Sequence, residues 1–342
     1  MKFLKLYIAV ILIIITNTVC FSDSNDTNRW EDVLSLNNFV PGTAQLALGK
    51  YDEGTLYLSS LPLLVGGSIL ACYGLGIFNS SYYNIGYLSN HLYVKTNNLD
   101  YYWYDPSFYN NSNKWMVYVG FLATEIGGLF YAYSQYDAQR EINNRYHLNL
   151  SGSKTNSYAP EGLLELAAAP WKPENVFSWD VIPVLPLLLV AEYSVSDFQN
   201  IGNYFHQNTV RFFNAPVSPL AGLGLVLASA MILNTAVAPF EEISFRGISL
   251  NNDGQLGSSL YFGGMHLANM IMPNVSVEET IQQAVFATLY GFYSSQKTLE
   301  NNFDFQKMIA FHFWNNVISM ALDYMINPDK QLYFCITVPI RF

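Results

Sequence analysis

The sequence predicts an all-α fold, a polytopic membrane helix bundle behind an N-terminal signal peptide, and three observations carry that expectation. Hydrophobic residues make up 51% of the 342 positions and charged residues only 12%, about half the charge usual in soluble domains. The apolar residues fall in blocks, which suits a bilayer better than an unusually large soluble core. Aromatic residues are abundant, with 25 Tyr and 23 Phe, and such rings hold one end among lipid headgroups. The formal net charge of −10, with no basic stripe, argues against a nucleic-acid partner.

Residues 1–20 read as a signal peptide or signal anchor. Lys2 and Lys5 precede an uninterrupted apolar run from Ile8 to Ile15, and Thr16, Asn17 and Thr18 follow. Cleavage is placed near Cys20 or Ser22, and Asn17 and Val19 disfavour a lipid-modified Cys20. The three cysteines, Cys20, Cys72 and Cys335, give neither a disulfide framework nor metal-ligand spacing.

A membrane-crossing helix needs ~20 apolar residues. Candidate spans are Thr55–Phe78, Trp115–Tyr133, Trp179–Tyr193 and Ser218–Phe240, and further apolar helices are expected over Ser258–Met272, Ile281–Tyr293 and Met308–Met325. Two of the spans fall in an N-terminal membrane region, residues 21–150. There Pro41-Gly42-Thr43-Ala44-Gln45, with Gly49 and Gly54, resembles a turn-and-helix module of small bacterial membrane proteins, expected as a hairpin without activity. Residues 151–177 read as a polar linker and 329–342 as a tail. Membrane orientation is contradictory. Arg140, Arg145, Lys154 and Lys172 favour the cytoplasm for residues 134–177, whereas counting spans from the signal peptide places them outside.

The chemistry concentrates in residues 178–328. Glu241 and Glu242 end an apolar run, where ionisable groups point to function. Arg246 lies four residues after Glu242, so the two share a helical face and can pair, which leaves Glu241 turned toward a cavity. Pro239 is expected to permit a local break and Gly247 to end the helix. His266 stands in a second apolar segment with Asn269 one turn later; His312 and Asn316 share a face of a third. Each group has a plain reading as well: a solvated cap for the glutamates, a hydrogen-bonded core residue for His266, an interhelical tie for His312 and Asn316. His91, His147 and His206 read as solvated loop residues. Glu125, in the second span, is the one further carboxylate that reads as a candidate for a second polar site; Asp180 and Glu192 read as helix-terminal.

The three segments resemble the motif set of the CPBP family of intramembrane endopeptidases (CAAX proteases and bacteriocin-processing, or Abi, proteins). Here the motifs stand as Glu241-Glu242-x-x-x-Arg246, Phe262-x-x-x-His266 and His312-x-x-x-Asn316. The resemblance implies an intramembrane (metallo)endopeptidase that hydrolyses a peptide bond of a membrane-associated or exported peptide. It implies Glu241 as general base, His266 sharing the water proton, His312 and Asn316 stabilising the oxyanion, and Glu242 and Arg246 in support. A Zn²⁺ version would use Glu241, His266 and His312 as ligands; the metal-free version, with no cofactor, is preferred. The expected partners are the lipid bilayer and a peptide or membrane-protein substrate, and the expected location is the inner or plasma membrane of a bacterium. Competing readings are a non-catalytic binding or immunity protein with the same polar core, and a proton-relaying transporter.

Overall fold

A computed structural model describes residues 27–74, 94–95, 101–102, 113–147, 158–186, 195–213, 215–267, 269 and 277–328. The expected signal peptide, Cys20, His91, Glu192, Cys335 and the tail lie outside the described residues. The helices are α1 (Thr27–Phe39), α2 (Thr43–Ala47), α3 (Tyr51–Leu58), α4 (Ser60–Gly74), α5 (Lys114–Tyr146), α6 (Leu163–Ala168), α7 (Pro173–Val176), α8 (Val195–Tyr204), α9 (Pro219–Glu242), α10 (Leu250–His266), α11 (Val277–Glu300) and α12 (Gln306–Ile326). Two short antiparallel pairs depart from a purely helical chain: β1 (Val94–Lys95) with β2 (Tyr101–Tyr102), and β3 (Val210–Phe212) with β4 (Ala215–Val217).

Among the described residues, three helical runs are long and apolar enough to cross a membrane: Tyr51–Gly74, Lys114–Tyr146 and Pro219–His266. Their unburied faces carry Val65, Ile69, Trp115, Leu220 and Ile232, all exposed.

The Pro-Gly-x-x-Gln module clamps α5. Gly42 has φ 93°, a left-handed backbone suited to glycine, and a Cβ there would strike the Gly54 carbonyl. Its N–H donates to Ser134 Oγ at 2.8 Å, and Gln45 Nε2 donates to the Ser134 carbonyl at 2.8 Å. Along α4 and α5, small residues let the backbones touch. A Cβ on Gly67 would lie 2.6 Å from the Gly120 carbonyl, and one on Gly127 would lie 2.7 Å from the Leu64 nitrogen.

Helix α5 runs on past the span expected to end at Tyr133. Its 33 residues extend about 50 Å, beyond the ~30 Å hydrocarbon core. Arg140, expected in a polar loop, is buried on this extension. It donates to Asp137 at 2.6 Å and to the Glu161 carbonyl at 2.7 Å. Those partners remove Arg140 from the loop charge used to argue orientation.

Residues 158–177 fold onto α12 as a strap, a closer engagement than a polar linker requires. The Trp171 ring lies 5.2 Å from Phe313, and Trp314 Nε1 donates to the Pro170 carbonyl at 2.9 Å. The helix expected from Trp179 does not start there, because residues 179–183 are turns. Pro183 and Pro186 lack the N–H groups a continuous helix would use. Asp180 instead ties the turn to Lys297 and Lys307, each at 3.3 Å.

The expected break at Pro239 and stop at Gly247 do not occur. The helix continues through both and widens to a π-helical turn over Ile243–Ser249, and the kink falls at Gly254, with φ 75°. Side chains meet the widened turn's carbonyls: Asn251 Nδ2 donates to Gly247 O at 2.8 Å and Ser258 Oγ to Phe245 O at 2.7 Å. One core joins both parts of the chain, with Phe121, Tyr133 and Tyr136 of α5 packed among Ala236 and Val237 of α9 and Phe313 and Val317 of α12. The expected boundary between the two regions therefore runs through shared packing.

Candidate functional site

Helices α9 and α12 run antiparallel, which places His312 beside the two glutamates and Asn316 one turn further down. Glu241 and Glu242 are 2% and 0% exposed, so neither is a solvated cap. Their surroundings differ sharply. Glu242 Oε1 receives His312 Nδ1 at 2.9 Å and the Tyr290 hydroxyl at 3.2 Å; Oε2 receives the Ser294 hydroxyl at 3.1 Å and pairs with Arg246 Nε at 3.1 Å. Each oxygen thus has two partners, enough to offset the burial of a carboxylate. Arg246 is fully buried, its guanidinium centre 4.5 Å from the centroid of the Phe262 ring and 5.3 Å from that of Tyr290, close enough for cation–π attraction.

Glu241 Oε2, by contrast, has no hydrogen-bond partner, and His312 Nε2 is equally bare. The two face each other at 3.6 Å, too long for a direct hydrogen bond. A carboxylate accepts, so His312 Nδ1 carries the proton it donates to Glu242; in the tautomer with that proton alone, the ring presents a lone pair at Nε2.

His266 is brought into the same neighbourhood but not onto the glutamates. The close contacts of the two glutamates on this side are with His312, while the Phe262 ring lies 4.9 Å from His266 and 5.9 Å from His312. His266 Nδ1 meets the Phe262 carbonyl at 2.9 Å; a carbonyl only accepts, so Nδ1 is protonated and the buried Nε2 is left bare.

Asn316 Nδ2 donates to Asn234 Oδ1 at 2.8 Å. Asn234 in turn donates to the Ala230 carbonyl at 2.9 Å, which fixes both amides and leaves Asn316 Oδ1 without a partner. Asn234 sits two turns before Glu241, so this pair lies below the carboxylate instead of beside it. Asn269 donates to Gln283 at 2.9 Å and acts as a tie between segments. His147 and His206 are exposed, as expected of solvated residues.

Sequence reasoning passed over Tyr290, Ser294 and Asn234. Tyr290 and Ser294 are four apart on α11, a shared-face spacing, and Asn234 is a lone amide inside the apolar run of α9. Among the described residues, no group of three or more His, Cys, Asp or Glu side chains comes together as a metal-ligand set. As placed, Glu241, His266 and His312 are not gathered into such a set.

No protein-family model, curated protein or solved structure matches this chain.

Proposed function

We propose that this chain is an intramembrane endopeptidase of the CPBP type, resident in a bacterial inner or plasma membrane. One observation carries the reading: Glu241 Oε2 and His312 Nε2, both buried acceptors without partners, face each other at 3.6 Å. The group two such acceptors can hold together is a double donor, and water is the smallest. The motif residues on α9, α10 and α12, and the three helical runs suited to crossing a bilayer among the described residues, support the same reading.

In this mechanism Glu241 takes one proton from the water while His312 Nε2 accepts the other O–H and orients it. The hydroxide adds to the peptide carbonyl carbon and the π electrons move to oxygen. Asn316 has a second N–H beyond the one given to Asn234, and such a donor to the oxyanion contributes about 3 kcal/mol. Collapse of the tetrahedral intermediate breaks the C–N bond, and the proton held by Glu241 passes to the departing amine. His266 Nε2 accepts the proton released as the product acid ionises. His312 thereby changes role from the expected oxyanion donor to water acceptor, because its one N–H is held by Glu242.

Detergent-purified wild type, Glu241→Ala and His266→Ala, incubated with a library of peptides and membrane proteins, test the reading. Cleavage by wild type, lost in both variants, is the expected result. Cleavage that survives both changes, or a wild type that binds peptides without cutting any, overturns it. A chelator added to the wild type decides metal dependence.

A further inference from the structure

Asn234 differs from the other buried amide of the site in having nothing left to offer a substrate. It lies in the apolar run of α9 and is 2% exposed. Its Nδ2 donates to the Ala230 carbonyl at 2.9 Å and also meets Met320 Sδ at 3.7 Å, while its Oδ1 accepts from Asn316 Nδ2 at 2.8 Å. A side-chain amide carries two N–H donors and one oxygen, so both donors and the oxygen are engaged. Asn316 is the reverse case. It is fully buried, has given one N–H to Asn234, and its Oδ1 has no partner.

The direction of these bonds follows from chemistry. A backbone carbonyl only accepts, so Asn234 turns its nitrogen to Ala230 and its oxygen to Asn316. That oxygen in turn selects the nitrogen of Asn316, because an amide turned over would set oxygen against oxygen. The orientation dictated by one carbonyl of α9 is thereby passed to a side chain on α12. A serine or threonine at this position would bond the same carbonyl with its hydroxyl and stop short of α12.

We propose that Asn234 is a positioning residue for peptide hydrolysis: it holds Asn316 in the amide orientation that keeps the second N–H available to the oxyanion, without itself touching the substrate. The role rests on the proteolytic reading. Without Asn234, the Asn316 amide is free to turn over and place an oxygen where its nitrogen stood. That oxygen repels the charge the N–H stabilises.

The test uses full-length protein in detergent and a fluorogenic peptide built on a bond that the wild type cuts in the library assay. Asn234→Leu suits the apolar run but offers Asn316 no acceptor. It is expected to lose about 10²-fold in kcat, the scale of one oxyanion donor, with KM little changed. Asn234→Asp keeps an oxygen for Asn316 and, as the neutral acid, an O–H for Ala230. It is expected to hold kcat within about tenfold of wild type, although a carboxyl in an apolar helix lowers the thermal midpoint further than leucine does. Activity and stability then rank the two variants in opposite orders, which a plain interhelical tie does not produce. In Asn234→Leu combined with Asn316→Ala, kcat is expected to be no lower than in Asn316→Ala alone, since the two residues act as a unit. Where Asn234→Leu does not fold, Asn234→Ser takes its place and is expected to show the same loss. Equal kcat in wild type and the folded variant overturns the proposal. So does a loss in Asn234→Asp as large as in Asn234→Leu, or losses that multiply in the double variant. Those results leave the proteolytic reading intact, whereas a wild type that cleaves nothing removes that reading and this role together.

Discussion

A single imidazole joins two adjacent glutamates: His312 holds Glu242 Oε1 through Nδ1 at 2.9 Å and faces Glu241 Oε2 through Nε2 at 3.6 Å. The two carboxylates thereby take different tasks. The one with four partners fixes the ring and its tautomer, and the other is left with a reactive oxygen.

Glu242→Gln therefore disturbs chemistry through His312. A glutamine that turns its amide N–H₂ toward Nδ1 forces the proton to Nε2 and removes the water's acceptor. The expected loss in kcat is ~10²–10⁴-fold, in line with tautomer errors elsewhere, with KM little changed. Equal kcat in wild type and a folded Glu242→Gln would refute the role given to this pair. Glu242→Ala should also unfold more easily, by about 3–5 kcal/mol, because it leaves Arg246 buried without its carboxylate; denaturation followed by tryptophan fluorescence measures it.

Glu241→Gln separates activity from stability. Glu241 Oε2 receives no hydrogen bond, so replacing the carboxyl with an amide of the same shape removes a disfavoured group. Proteolysis is expected to fall by about 10³-fold or more, while the thermal midpoint stays level or rises. A large drop in the midpoint would mean that Glu241 is a structural residue.

The seam between α4 and α5 is sensitive to volume. A Cβ on Gly67 would lie 2.6 Å from the Gly120 carbonyl, and the obstacle is backbone, which cannot rotate away. Gly67→Val is expected to destabilise by about 1–3 kcal/mol, whereas Gly66→Ala, where nothing lies within 4 Å, should be neutral. Detergent unfolding midpoints of the two variants check the contrast.

Acid should loosen the turn at Asp180. Partial burial works against this carboxylate, but the ammonium groups of Lys297 and Lys307 outweigh it and hold Asp180 below the usual carboxylate range. A depressed value means that the stabilisation is complete above the unfolded-state value of about 3.9 and disappears as pH falls through the folded-state value. The pair is partly exposed, so its contribution is modest, about 0.5–1 kcal/mol. The midpoint difference between wild type and Asp180→Asn should be present at neutral pH and close in strong acid. A difference that persists there would assign the effect to packing.

Several features were legible because they depend on near neighbours. The spacing of Glu242 and Arg246 announced a pair, and the structure has it at 3.1 Å. The polar residues on three apolar segments announced inward-facing groups, and Glu241, His266, His312 and Asn316 are all buried. What escaped depends on remote chain. A serine in an apolar helix ordinarily satisfies its own preceding turn, so nothing in α11 directs Ser294 to Glu242. Arg140 read as a loop cation because its burial needs the carbonyls of residues 159–161 to return over it. The turns at residues 179–183 could have been anticipated from Pro183 and Pro186. The strands, two or three residues long, are too short for alternation to show.

The widened turn at Ile243–Ser249 makes alignment a matter of counting residues. Each residue advances an α-helix by about 100°, so the angular position of the residues between Glu242 and the kink at Gly254 includes one surplus step held in that turn. Deleting a single amino acid there would let the turn close to ordinary pitch and rotate Leu250 and Asn251, both buried, toward other neighbours. Their burial is kept by a miscount that the chain must preserve.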